Sequence, residues 1–227
     1  MKIKNMLPFT LAFVLAGCIP VWSLHPLYDD QHIAFEEKLL GTFTEDKEDT
    51  NITWEFTRAD EPNTYQLIYS SVSKDEPNGM KGLFEAHLVK LDGHLFLDIF
   101  PSNDELKQMK WSINLFFMLH VHTFAKVEIV DSQLNIWLSD DDGLKKLLKQ
   151  DPNAIKHELV EGGEPVLTAS TGQLQEFVLK HVDDSRIFTN GHALVRKTTE
   201  PSQDTNQPKK AQPDANSVPA DANEIPV

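Results

Sequence analysis

Short segments rich in β-branched, aromatic and aliphatic residues alternate with turn residues along the first half of the chain, which is the pattern of successive β-strands. The Asp92-Gly93 pair predicts a tight hairpin, because both positions tolerate positive φ. Strands joined by short turns pair in antiparallel fashion, so this half is expected to form a meander. The predicted strands are Leu39 to Phe43, Ile52 to Thr57, Tyr65 to Val72, Gly82 to Leu91 and Leu95 to Phe100.

The second half of the chain mixes helical and strand patterns. Ser102-Asn103-Asp104-Glu105 fits a capping box, and the apolar residues behind it predict a helix from Glu105 to Leu119, a natural plug or lid for such a sheet. Capping patterns at Ser139 to Asp142 and at Ser170 to Gln173 predict two further helices. The remaining strand candidates are Thr123 to Val130, Leu134 to Leu138 and Ala193 to Lys197. The predicted class is α+β, an antiparallel sheet or barrel-like meander with two or three inserted helices.

Alternate residues of a strand point to the same face of a sheet, which predicts the interior of the meander. Trp54 and Phe56 are expected to share the interior face, and so are Leu95, Leu97 and Ile99. An interior filled by side chains would indicate a structural module, whereas an open one would indicate a carrier of apolar molecules.

The N-terminal segment has the pattern of an export signal. Lys2 and Lys4 precede an apolar stretch, Leu7 to Ala16, that is shorter than the roughly 20 residues needed to cross a bilayer. It leads into Leu15-Ala16-Gly17-Cys18, which resembles the lipobox of bacterial lipoproteins. The resemblance implies cleavage before Cys18, acyl chains such as diacylglycerol and palmitate on this residue, and a membrane anchor in the cell envelope. A conventional secretory signal followed by an ordinary buried cysteine is the alternative.

Four regions follow from these patterns: a lipoprotein signal peptide at 1–17, a lipidated tether at 18–23, one globular domain at 24–198 and a disordered tail at 199–227. The tail is rich in Pro, Asp and Asn and has no aromatic residue, so it lacks the apolar surface to offset the entropy of ordering. The residue after the cysteine is Ile19. An aspartate at this position tends to retain Gram-negative lipoproteins at the inner membrane. In a Gram-negative cell this favours the periplasmic face of the outer membrane.

The charge and the cysteine content narrow the possible partners. The formal net charge of -14 disfavours nucleic acid. Cys18 is the only cysteine, so once it carries acyl chains no thiol is left for a disulfide, a zinc site or cysteine catalysis. The expected partners are the membrane and either a small apolar ligand or another envelope protein.

Two further resemblances lie inside the predicted domain. Leu24-His25-Pro26-Leu27-Tyr28, Leu39-Leu40-Gly41-Thr42-Phe43 and Thr168-Ala169-Ser170-Thr171 resemble segments of a group of uncharacterised bacterial lipoproteins, which supports the compartment and a single fold. Gly41-Thr42-Phe43 also resembles the Gly-x-Trp on the first strand of lipocalin-type barrels, with Phe in place of Trp. This likeness implies a barrel that carries apolar ligands, and a generic antiparallel sheet or partial barrel is the alternative.

Three patterns are candidates for chemistry. His120-x-His122 has metal-ligand spacing on a strand, but a third ligand is not identifiable, and packed or partly exposed histidines are the commoner interpretation. Asp140-Asp141-Asp142-Gly143 lacks the alternating oxygens of a calcium loop and fits a helix cap. Ser71-Val72-Ser73-Lys74 has the Ser-x-x-Lys order of penicillin-recognising enzymes, but it falls on a predicted strand instead of a helix start.

The sequence therefore assigns no catalytic residue, no metal site and no cofactor, and Cys18 is the one site residue it indicates. It favours a membrane-anchored cell-envelope lipoprotein with a non-catalytic binding or structural domain. Two alternatives stay open: an envelope hydrolase that uses dispersed carboxylates, and a lipocalin-like carrier of apolar ligands. A cluster of buried acids in a cleft would favour the hydrolase, and an apolar cavity bounded by strands would favour ligand binding.

Overall fold

A computed structural model describes residues 20–46, 50–74, 77–102, 119–160 and 162–197. This part of the chain forms twelve strands, two α-helices and one 3₁₀ turn. The strands are β1 Trp22–Ser23, β2 Ile33–Ala34, β3 Gly41–Asp46, β4 Thr50–Arg58, β5 Thr64–Ser73, β6 Met80–Leu91, β7 His94–Pro101, β8 Thr123–Val130, β9 Gln133–Ser139, β10 His157–Leu159, β11 Pro165–Leu167 and β12 Phe188–Arg196. The helices are α1 Asp141–Gln150 and α2 Thr171–Lys180, and the 3₁₀ turn is Glu37–Leu39.

Eight of the strands form a closed antiparallel barrel. Strands β3 to β9 follow one another as a meander, and β12 lies between β9 and β3. The pairing of β6 with β7 completes the circle. The barrel-like meander expected from the sequence is thus confirmed, whereas the α+β description fits only loosely, because the helices are a minor part of the described residues.

The boundaries of most predicted strands agree closely with the structure, and those of β8 coincide with it. The closing strand is the exception, since β12 begins at Phe188, well before the predicted start at Ala193. A register shift between Thr189 and His192 interrupts the alternation on which the prediction relied. The predicted helix from Glu105, apart from Leu119 at its end, lies outside the described residues, as does the tail at 199–227.

Side chains from alternate positions of the strands fill the centre of the barrel. As predicted, Trp54 and Phe56 belong to the same interior cluster as Leu97 and Ile99, and Leu95 packs against it. Phe56 is 1% exposed and Leu97 is 0% exposed. At their level the barrel is therefore a packed core.

A second apolar core lies against the outer wall of the barrel. The two helices and the residues around β1 and β11 pack there over outward-facing side chains of β6, β7 and β8, among them Val89, Phe96 and Phe124. Where this core covers them, these strands are therefore buried on both faces. Helix α2 begins at a capping box of Ser170 and Gln173, as the sequence predicted.

The N-cap of helix α1 is Asp140 and not Ser139, which corrects the predicted capping box. The Asp140 carboxylate accepts a hydrogen bond from the Gly143 N–H at 3.1 Å. Ser139 instead ends β9 with its side chain fully buried, and its hydroxyl accepts a hydrogen bond from the Val21 N–H at 3.3 Å. Because the Ser139 hydroxyl is hydrogen-bonded to the N-terminal segment, the next residue, Asp140, caps the helix.

The N-terminal segment enters the fold earlier than the expected boundary at residue 24. Val21 is 1% exposed and Ser23 is 0% exposed. Trp22 pairs in parallel with Val166, and Ser23 exchanges backbone hydrogen bonds of 2.9 and 2.8 Å with His122. Residues 21–23 of the predicted tether are therefore part of the fold.

Residues 33–40, which we call the strap, close one end of the barrel. β2 pairs with the last residues of β6, and the 3₁₀ turn buries Leu39 completely. The Tyr65 hydroxyl accepts a hydrogen bond from the Glu36 N–H at 2.7 Å and donates one to the Glu36 carbonyl at 3.2 Å. Burial raises the pKa of Tyr65 to about 12, so this donor stays protonated at neutral pH.

Arg196, the last residue of β12, fixes the strap from the other side. Its guanidinium lies 4.5 Å from the centre of the Phe43 ring and donates to the carbonyls of Lys38 and Leu40. Gly41 has a φ of +120°, and a Cβ there would lie 2.5 Å from Nη1 of Arg196. Glycine is therefore the residue that fits the junction between strap and barrel.

Candidate binding site at the mouth of the barrel

The end of the barrel opposite the strap, which we call the mouth, is lined by apolar side chains that are only partly covered. Ile52, Tyr69, Phe84 and Leu138 face inward there and are half-buried. Deeper in the barrel the inward-facing residues are covered completely, as in the case of Leu88 with 0% exposure. The interior is therefore filled below, while an apolar surface is accessible at the mouth.

Aromatic rings form the floor and one wall of the mouth. Trp54 is 7% exposed and meets the Tyr69 ring edge to face, with the centroids 5.6 Å apart. Gly82 pairs with Tyr69 across β5 and β6, and a Cβ on Gly82 would lie 2.6 Å from the Phe84 ring. The missing side chain thus leaves room for the Phe84 ring at the wall. Rings of this kind offer a large and rigid apolar contact surface.

A polar pair stands at the rim of the mouth. Nδ1 of His192 lies 2.6 Å from Oε2 of Glu45, and the two side chains are 23% and 13% exposed. Glu45 lies near the end of β3, and His192 follows the register shift in β12. A hydrogen-bonded acid and imidazole beside an apolar surface are suited to bind the polar end of a largely apolar molecule.

A second group of titratable side chains lies on the outer wall, beneath the N-terminal segment. Asp98 is 0% exposed, and its Oδ1 lies 2.7 Å from Nδ1 of His122. Its Oδ2 accepts a hydrogen bond from the Leu27 N–H at 2.7 Å. Asp98 thereby joins the N-terminal segment to β7 and to the residue that precedes β8, which is a structural role.

The structure does not bring His120 and His122 together as two ligands of one ion. His122 is held by Asp98 and stacks on Phe100 with ring centroids 4.4 Å apart. His120 is exposed and meets the edge of Phe100 at 6.3 Å. Within the described ranges, no group of three His, Cys, Asp or Glu side chains converges as metal ligands do.

The other two sequence patterns, the acidic run at 140–143 and the Ser-x-x-Lys order at 71–74, lie in different elements of the structure. Asp140 caps helix α1, and the buried Asp141 pairs with Nζ of Lys145 at 2.5 Å. Burial raises the pKa of Asp141, although Lys145 acts in the opposite direction. Ser71 lies within β5 and Lys74 just beyond its end, so the two do not share a face at a helix start.

His87 is buried next to the Asp98 group. Its ring stacks on Tyr28 with centroids 3.9 Å apart, and its Nε2 lies 3.2 Å from the Thr64 hydroxyl. Its Nδ1 is buried with no hydrogen-bond partner in the part of the chain that the structure describes. Burial lowers the pKa of His87 below its usual 6.5, although the nearby carboxylates of Asp98 and Glu85 oppose the shift.

The unfolding free energy is expected to fall as the pH drops below about 6.5, because the unfolded chain then binds a proton that the buried His87 resists. His181, whose pKa is also lowered by burial, acts in the same direction. Urea unfolding at about pH 7.5 and about pH 5.5 should show a smaller loss in His87→Gln than in the unchanged protein. The exposed His25 offers the matched control, His25→Gln, which should lose as much as the unchanged protein. Equal losses in all three proteins would contradict this account of His87.

The sequence patterns singled out His122, but they indicated neither its partner Asp98 nor the pair at the mouth. Glu45 and His192 are 147 positions apart, so no local pattern relates them. Asp98 had a usable indication: it is the one charged residue in the apolar run from Leu95 to Phe100, and a buried carboxylate requires partners.

No helix of the described residues is long and apolar enough to span a membrane. Cys18, the predicted site of lipid attachment, lies outside those residues. Comparison of the chain with models of protein families, with curated proteins and with solved structures gives no match. The candidate site is therefore argued from its own geometry.

Proposed function

We propose that this chain is a cell-envelope lipoprotein, anchored to a membrane by acyl chains on Cys18, whose barrel is a non-catalytic binding domain for a small apolar ligand. The anchor is supported by the lipobox pattern Leu15-Ala16-Gly17-Cys18 behind a basic and apolar leader. Two or three acyl chains on one residue hold a protein durably, whereas a single chain does so only marginally. In a Gram-negative cell, Ile19 favours the periplasmic face of the outer membrane.

One observation carries the ligand site: inward-facing apolar side chains are partly exposed at the mouth although the interior beneath them is filled. Only contact with another molecule or segment would bury the side chains of Ile52, Tyr69 and Phe84. Because side chains occupy the barrel below Trp54, the ligand is bound in the mouth and does not thread the barrel. Its body is apolar, and its polar end meets Glu45 and His192. A carrier of the kind suggested by the lipocalin-like motif is compatible with this arrangement.

The buried carboxylates of the described residues lend no support to an envelope hydrolase. Asp98 is bound to His122 and Leu27, and Asp141 is bound to Lys145. They belong to different elements, β7 and α1. Hydrolysis of a glycosidic bond needs two carboxyl groups that flank the same bond, one to protonate the leaving oxygen and one to activate water or attack the anomeric carbon. Asp98 and Asp141 are instead both bonded to other groups of the fold.

The ligand site is tested with N-phenyl-naphthylamine, a probe that fluoresces in apolar surroundings, on the full chain purified from membranes in mild detergent. The probe should bind the unchanged protein, and Ile52→Arg should weaken binding by about tenfold or more, because a charge then occupies the apolar mouth. Val72→Arg is the matched control, since Val72 lies at the same end but is 47% exposed. Binding by the Ile52→Arg variant as strong as that of the control would contradict the site. The mass of the N-terminal peptide from the same preparation tests acylation at Cys18.

A further inference from the structure

The tip of the β10–β11 hairpin presents two apolar side chains to solvent. Leu159, the last residue of β10, is 64% exposed, and Val160, which follows it, is 41% exposed. The turn is held by a hydrogen bond of 3.0 Å from the Val160 N–H to the Glu164 carbonyl. These two adjacent side chains form an apolar surface at the turn that contact with another molecule would bury.

The strand register places this tip beside the start of the folded chain. Trp22 of β1 is level with Val166 of β11, and Pro165 is level with Leu159 of β10. Because β1 runs parallel to β11, Val21 lies at the level of Pro165, at the same edge of the sheet as the tip. Two strand spacings of about 4.8 Å separate Val21 from Leu159, which makes about 10 Å.

The length of chain between Val21 and Cys18 limits how far the anchor can be from this edge. Val21 is fixed by its hydrogen bond to the Ser139 hydroxyl and by complete burial. Three residues of fully extended chain span at most about 10 Å. Together these two lengths place Cys18 within about 20 Å of Leu159, whatever path the intervening residues take.

We propose that Leu159 and Val160 form a docking surface that rests on the lipid bilayer to which the chain is anchored. This inference depends on the proposed acylation of Cys18. Because the anchor keeps this edge close to the bilayer, the bilayer surface is the partner nearest to the tip. The two side chains enter the boundary between headgroups and acyl chains. The neighbouring Glu158 is exposed, and Glu164 lies 3.8 Å from Nζ of Lys145, so the contact is apolar and is not driven by attraction to anionic lipids.

The docking surface is tested on the acylated protein in vesicles of phosphatidylethanolamine and phosphatidylglycerol. Cys18 is the only natural cysteine and is consumed by acylation, so Leu159→Cys supplies a unique thiol for an NBD fluorophore. Its emission should shift to the blue on reconstitution and be quenched by doxyl-labelled lipids. Val130→Cys is the matched control, because Val130 is 51% exposed and lies at the end of β8, at the closed end of the barrel. Its probe should show neither effect.

The outcomes separate the docking surface from the anchor. An acylated protein whose Leu159 probe behaves like the Val130 probe overturns the docking surface and leaves the anchor in place. An N-terminal peptide without acyl chains overturns both. A Val160→Cys probe that is quenched together with the Leu159 probe supports the hairpin tip as the surface in contact with lipid.

Discussion

Replacing Asp98 with alanine is expected to lower the unfolding free energy by about 3–5 kcal/mol, because two groups lose their buried hydrogen-bond acceptor and each such loss costs about 1–3 kcal/mol. The Asp98 side chain is 0% exposed and holds two groups at 2.7 Å, the Leu27 N–H and Nδ1 of His122. Without the carboxylate, both donors lose their buried acceptor. The N-terminal segment loses its bond to β7 at the same time.

One further variant separates the charge of Asp98 from its hydrogen bonds, and a second serves as a control. Asp98→Asn keeps an acceptor for the Leu27 N–H but removes the charge opposite His122, so an intermediate loss is expected. Asp183→Ala is the control for an exposed pair, because the Asp183 side chain is 86% exposed and lies 3.4 Å from Nζ of Lys126. Its loss should stay below about 1 kcal/mol. Urea unfolding measures all three, and a loss of less than about 1 kcal/mol in Asp98→Ala would refute the structural role.

Arg196→Ala is expected to cost about 2–3 kcal/mol, because one side chain supplies both a cation–π contact and two hydrogen bonds to backbone carbonyls. The ring of Phe43 and the carbonyls of Lys38 and Leu40 are the groups that lose contact. Amide hydrogen exchange should increase in the strap, residues 33–40, more than in the barrel strands.

Arg196→Lys should recover only part of the stability, since an ammonium cannot bind two carbonyls in the fixed fork geometry of a guanidinium. Arg58→Ala is the matched control. Its guanidinium lies 4.0 Å from the centre of the Phe35 ring and contacts Glu37, but its side chain is 55% exposed. The loss there should be below about 1 kcal/mol. Equal exchange rates in the strap of Arg196→Ala and of the unchanged protein would contradict the role of Arg196 as the clamp of the strap.

The apolar and polar pattern was sufficient to predict the barrel strands other than β12, because each strand has one face in the barrel. It was not sufficient to predict the second core. A residue pair such as Leu88 and Val89, both 0% exposed, shows that β6 is buried on both faces. Consecutive apolar residues of this kind are typical of doubly buried strands and were the available indication of an outer layer.

The candidate site depends on closure of the barrel and so lies beyond local patterns. His192 reaches the rim because the register shift after Thr189 changes which residues of β12 face inward. Glu45 meets it because β12 pairs with β3, the strand where the barrel begins. A single sequence indicates neither the shift nor the pairing. Cys18, in contrast, stays a prediction from the contiguous pattern Leu15-Ala16-Gly17-Cys18, which can be recognised without knowledge of the fold.

The pairing of β3 with β12 has a consequence for the order in which the chain can fold. These strands are the first and the last of the barrel, so loop closure over most of the domain must precede their contact. Folding of this barrel should be slow for its size, as for other proteins dominated by contacts between distant residues. Until β12 is in place, β3 and β9 each present an open edge, and such edges pair readily with other chains. A chain that ends before Phe188 would keep both edges permanently, and it should aggregate instead of folding to a smaller barrel.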